Sequence, residues 1–185
     1  MSFEASTEEA PFTPEQEAAF RQVVLDRAPA DIDPLSESLT DEKAFVHLPR
    51  AAVAAFHMER FTEAKAFADK ALSLAPMFRS DWNYGNAIHL GHTVRGLLAL
   101  RKGNVDLAVE ELRKSGETPG SPQLNTFGPT MQLAKALLQA GHAAAVLSYL
   151  NQCRAFWRMG STWLDLWESK VSAGHIPNFF GSSYA

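Results

Sequence analysis

Residues 60–76 read RFTEAKAFADKALSLAP. Small residues at Ala64, Ala68 and Ala71 recur at steps of four and three, the spacing that puts side chains on one face of an α-helix. A face made of alanine lets a second helix approach closely. An Ala-Leu-x-Leu-x-Pro ending, from Ala71 to Pro76, closes the segment, since proline cannot continue a helix. The same arrangement returns twice downstream. Gly96, Ala99, Gly103, Asn104, Val105, Ala108 and Leu112 form one copy, and Ala134, Leu137, Gly141, His142, Val146, Leu150 and Cys153 form another. Each copy reads as helix, short turn, helix. In each, small residues sit where paired helices cross, and a glycine or short polar pair ends the first helix where a left-handed cap is needed.

Across roughly residues 45–157 this pattern resembles the tetratricopeptide repeat, with residues 60–76 standing for the second half of one unit. The period is longer than the family's: Ala64 to Ala108 is 44 residues and Ala108 to Val146 is 38, against about 34. The excess falls between hairpins, at 76–86 and 115–129. The resemblance implies an all-α, right-handed solenoid of antiparallel helical hairpins with about three repeats, an N-terminal helix and a C-terminal capping helix. It also implies a non-enzymatic scaffold that binds a protein or peptide in a groove lined by the first helix of each hairpin. That lining would be Val46, Pro49, Val53, Phe56 and His57, then Leu90, Thr93, Leu97, Leu100 and Arg101, then Met131, Lys135, Leu138 and Gln139. Arg101 and Lys135 are its charged members. The Lys/Asn-rich clamp with which some relatives hold a terminal carboxylate is not in the sequence, so the groove is expected to take an apolar helix or to be covered by the chain's own N-terminal helix.

The rest of the chain agrees with an all-helical reading. Strand-like alternation is nearly absent, and Ala, Leu, Glu, Lys, Arg and Gln fill the stretches between Gly and Pro. Thr13, Pro14 and Gln16 form a capping box that opens a helix expected to reach about Ala28, with Ala19, Phe20, Val23 and Val24 as its apolar stripe. Residues 29–40 read as a connector, followed by a helix to about Met58 with a kink or restart at Pro49. A final helix is expected to start at Ser161 or Thr162 and to end at Gly174, burying Trp163, Leu164, Trp167 and Val171. Residues 1–12 are expected to be disordered and 13–185 to form one domain.

Composition narrows the function classes. Of 185 residues, 46% are hydrophobic and 21% charged, which is globular usage. A net charge of −4 without a dense Lys/Arg stretch argues against nucleic acid as a partner. The single cysteine, Cys153, excludes an intrachain disulfide framework and multi-cysteine metal sites, and no cofactor is implied. No apolar run is long enough to span a membrane and no secretory pattern opens the chain, so a cytoplasmic protein is expected. Self-association is left open.

A rival reading places a small-ligand or metal site, even an enzymatic one, on the two long loops. Asp81, Trp82, Asn83, Tyr84 and Asn86 crowd the first, and Gln123 and Asn125 lie in the second, 118–129. In a stack of hairpins these loops share one edge, together with Trp157 and Arg158, and loops on a rigid scaffold are where function concentrates. Against this, Pro and Gly set turns, aromatics plug junctions, and amides satisfy backbone. His89 and His92, three apart, can share a helix face, yet two ligands do not make a metal site. Cys153 reads as a core residue, and no nucleophile elbow, phosphate loop or dinucleotide fingerprint is present.

Overall fold

A computed structural model describes residues 10–179 and residue 182. Most of the segment expected to be disordered, 1–9, lies outside the described residues. Those described contain α-helices and short 3-10 turns and no strand. The helices are α1 (Pro14–Ile32), α2 (Asp41–His57), α3 (Phe61–Leu74), α4 (Tyr84–Arg101), α5 (Val105–Ser115), α6 (Pro122–Phe127), α7 (Gln132–Gln139), α8 (Ala143–Cys153) and α9 (Ser161–Ser172). Among the described residues no helix is long and apolar enough to cross a membrane.

Three turns of three residues join α2 to α3, α4 to α5 and α7 to α8, and they share one backbone solution. Glu59, Gly103 and Gly141, each the middle residue, have φ of 59°, 76° and 88°. The next N–H then reaches back five residues: Arg60 donates to the Ala55 carbonyl (2.8 Å), Asn104 to Ala99 (2.9 Å) and His142 to Leu137 (2.9 Å). This left-handed cap satisfies carbonyls that a helix end would otherwise leave bare. Glycine adopts it freely, whereas Glu59 does so against its own Cβ. With three residues between packed neighbours, each pair is antiparallel.

The small residues that mark the pattern are buried. Ala64, Ala108 and Val146 are each the fourth residue of their helix and each wholly inaccessible. A Cβ built on Gly96 would lie 2.2 Å from Leu133 Cδ2, so α4 and α7 touch where the sequence offers no side chain. α4 is the central element and packs on α2, α3, α5 and α7. Its Val94 and Leu98 join an alanine-rich core with Ala51, Ala55, Ala64 and Ala68, while Leu97 and Ala99 join the core that runs through α5, α7, α8 and α9.

Several boundaries differ from the sequence expectations. α1 continues through Pro29 to Ile32 and buries Ala28 and Ile32, whereas Ala19, Phe20 and Val23 are exposed. The wholly buried residues of α1 lie in its last turns, and of the expected stripe only Val24 is half-buried. α2 does not restart at Pro49 but continues through it as one helix. The stretch read as a second loop contains α6, while Tyr84, Gly85 and Asn86 belong to α4. α9 starts after Gly160 without a side-chain cap; it buries Leu164, Trp167 and Val171, while Trp163 stays exposed. Trp167 meets Phe179 edge-on at 5.1 Å, tying the C-terminal segment to the cap.

Candidate functional site

The 81–92 and 118–130 segments do come together, and their polar groups are spent on one another. Proline at position 49 has no N–H, so the Phe45 carbonyl four residues earlier loses its helical donor. The Asn83 amide supplies it, donating to Phe45 O at 2.9 Å and to Val46 O at 3.2 Å. Asn86 donates to Asn83 Oδ1 (2.9 Å) and Gln123 Oε1 (3.2 Å) and accepts from the Ser121 hydroxyl (2.6 Å). Thr118 donates to the Gly85 carbonyl at 2.9 Å, and a Cβ on Gly85 would stand 1.8 Å from Gly120 O. Asp81 accepts from the Asn83 N–H at 2.7 Å. The Asn125 amide nitrogen faces the Phe156 and Ser121 carbonyls at 2.9 and 3.2 Å. Tyr84 is half-buried against the Phe45–Leu74 cluster, and Trp82 is half-exposed.

His89 is fully buried and uses both ring nitrogens. Nε2 accepts from the Thr130 N–H at 3.0 Å, which leaves Nδ1 as the donor to Ser115 O at 3.2 Å. Burial pulls its pKa down to about 4, only partly offset by the Ser115 bond, so the ring is neutral at pH 7. His92 turns to Glu111 instead, Nδ1 to Oε2 2.7 Å. Among the described residues no three His, Cys, Asp or Glu side chains are placed to hold a metal ion. Cys153 is buried, and desolvation pushes its thiol up to about 12, too high for a nucleophile at neutral pH.

Arg101 and Lys135 lie elsewhere, and the structure brings them into one cleft. It has a volume of about 460 Å³ and is lined by Arg21 of α1, Phe56 and His57 of α2, Glu59, Phe61 of α3, Arg101 of α4, and Gln132, Lys135, Ala136 and Gln139 of α7. Three cations thus face it against one carboxylate. Arg101 stacks on the Phe61 ring, its guanidinium carbon 3.9 Å from the centroid, and has no ion pair among the described residues. Lys135 Nζ meets Glu17 of α1 at 2.9 Å, and Arg21 approaches Glu59 at 3.8 Å. The His57 Nε2 is buried, out of reach of solvent. Its pKa is held below the ordinary value by burial and then by Arg21, with Gln132 opposing.

A smaller chamber of about 160 Å³ opens beside it, lined by Val24, Arg27 and Asp31 of α1, Arg50, Val53 and Ala54 of α2, and Leu90 of α4. Arg50 Nε and Asp31 Oδ1 form an ion pair at 3.1 Å.

Five of the residues expected to line a groove, Phe56, His57, Arg101, Lys135 and Gln139, therefore border the larger cleft, and Val53 and Leu90 border the smaller. Leu97, Met131 and Leu138 are core instead. The sequence reading missed Arg21 and Gln132, because Arg21 reaches the cleft only through the path of α1 and Gln132 only through the start of α7. Compared with family models, curated proteins and solved structures, the chain matches none.

Proposed function

We propose that the chain is a non-enzymatic, tetratricopeptide-like binding module, and that the cleft lined by Arg21, His57, Arg101 and Lys135 holds an acidic peptide segment of a protein partner. In this reading the three helix pairs are repeat units stacked as a right-handed solenoid, flanked by α1 and α9. The like position of Ala64, Ala108 and Val146 and the three like turns support the registration of the units. The observation that carries the functional reading is the set of cationic and amide groups facing an open cleft, with the Arg101 charge unpaired among the described residues. A carboxylate suits that set, because it accepts from guanidinium, ammonium and amide together.

The loop edge gives no comparable opening, since its amides already bond within the chain. Fluorescence anisotropy of fluorescein-labelled decapeptides in a Gly/Ser background, carrying two Asp, two Asn or two Lys, tests the proposal. The Asp peptide is expected to bind tightest, with affinity falling as salt rises. Arg101→Ala and Lys135→Ala are expected to lower that affinity at least tenfold with melting temperatures nearly unchanged. Equal binding of all three peptides, or indifference to both substitutions, overturns it.

A further inference from the structure

Resting on that reading, we infer that the first half of α1 is a latch over the cleft, which an acidic peptide releases by taking Lys135 from Glu17. The two halves of α1 are held in unlike ways. Its last turns are built into the body: Ala28 and Ile32 lie in the alanine-rich core with Ala51, Ala52 and Ala55, and Asp31 pairs with Arg50 at 3.1 Å. Every residue from 14 to 23, by contrast, is exposed, Phe20 and Val23 among them. Ion pairs tie that stretch across the cleft, Glu17 to Lys135 at 2.9 Å and Arg21 to Glu59 at 3.8 Å. Just ahead of the helix, Asn178 donates to the Ala10 carbonyl at 2.7 Å. Pro29 marks the boundary between the halves. Having no N–H, it leaves the Leu25 carbonyl without its helical donor, so α1 is weakest where its exposed half meets its buried one.

Glu17, Arg21 and Glu59 are exposed, and ion pairs within reach of water hold weakly. A ligand carboxylate that displaces Glu17 leaves Lys135 with an acidic partner before and after. The gain comes from Arg101, which lies on the Phe61 ring and has no ion pair among the described residues. Once Glu17 is displaced, residues 14–25 are tied to the cleft's far wall through Arg21 alone. A free helix shorter than about 12–15 residues is marginal in water, so the released half also loosens its own hydrogen bonds.

Hydrogen exchange of the full, unmodified chain tests the latch. With the two-Asp decapeptide at saturation, amides of residues 18–25 are expected to exchange at least tenfold faster than in the free chain, and those of α4 to keep their rate. Unchanged or slower exchange at 18–25 overturns this inference and leaves acidic binding standing. Pro29→Ala, which returns a donor to the Leu25 carbonyl, is expected to reduce the acceleration; an equal or larger one overturns the hinge. Ala10→Cys combined with Asn178→Cys pins the latch by a reversible crosslink. The oxidised chain is expected to bind the Asp peptide at least tenfold more weakly than the same chain after reduction, and equal affinities overturn the inference. An Asp peptide that binds no tighter than the Asn peptide overturns the functional reading itself, and this inference with it.

Discussion

The junction of the 81–92 and 118–130 segments and the cleft beneath α1 are both rich in amide and imidazole groups, but they use them in opposite ways. At the junction, the amides of Asn83 and Asn86 and both ring nitrogens of His89 bond within the chain, although the buried Trp157 Nε1, whose ring lies against Gly128, has no partner among the described residues. In the cleft, the Arg101 guanidinium has no carboxylate partner among the described residues. Polar composition alone therefore does not mark a binding site. What distinguishes the two regions is whether the chain itself consumes the hydrogen-bonding capacity.

The sharpest way to break the junction is to add one carbon. Gly85→Ala places a Cβ against the Gly120 carbonyl, which is backbone and cannot swing aside. Overpacking of this kind is expected to cost about 3 kcal/mol, a fall in melting temperature of about 6–12 °C for a chain this size. Thermal unfolding followed by circular dichroism reads it directly. An unchanged melting curve would mean the two segments are not in contact.

Acid should open the same region. The unfolded His89 binds its proton near 6.5 and the native ring only near 4, so between these values the unfolded chain holds more protons. Stability is then expected to fall as pH drops through 6.5 and to finish falling near 4, by roughly 3 kcal/mol at 1.36 kcal/mol per tenfold change. The geometry agrees with the sign, because a second ring proton would point Nε2–H at the Thr130 N–H. His57, also held low by burial, acts in the same direction. Urea unfolding across this pH range measures the loss, and His89→Gln is expected to be less stable at pH 7 yet flatter below it.

These cases show what could be read from residues and what could not. The three turns were legible, because Gly103, Gly141 and the Glu59–Arg60 pair announce a left-handed cap, and so were the small crossing positions such as Ala64 and Ala108. The Thr13 capping box was legible in full: Gln16 N–H bonds the Thr13 hydroxyl at 3.3 Å and the Thr13 N–H bonds the Gln16 side chain at 2.9 Å. The role of Asn83 was not, since it depends on a proline 34 positions earlier that leaves a carbonyl without a donor. The cleft was half legible. Arg101 and Lys135 follow from helix register, but the cationic wall given by Arg21 depends on where α1 crosses, and its apolar stripe pointed to the wrong turn.

A paired substitution contrasts the two regions directly. Asn83→Ala strips the buried Phe45 carbonyl of its donor and is expected to cost about 1–3 kcal/mol with peptide affinity falling only as the folded fraction falls. Asn83→Asp is expected to fare no better, because a carboxylate cannot donate. Arg101→Ala loses a cation–π contact, about 0.5–1 kcal/mol, and is expected to keep its fold while losing the Asp decapeptide. If both variants lost stability and binding in proportion, the distinction between the regions would collapse.

The smallest expected effect is also the most diagnostic. Glu17 already occupies Lys135 at 2.9 Å from across the cleft, so an incoming carboxylate must compete with the chain's own. Glu17→Gln removes the competing charge and leaves the size of the side chain nearly unchanged. A partly exposed ion pair is worth about 0.2–1 kcal/mol, so affinity for the Asp decapeptide is expected to rise by at most about fivefold, with little change in melting temperature. The gain should shrink as salt is raised, since screening weakens the internal pair and the external one alike. An affinity that does not move would mean the ligand's acid leaves Lys135 alone and rests on Arg101 and Arg21. A fall in affinity would mean that α1, held down by Glu17, is itself a wall the ligand needs.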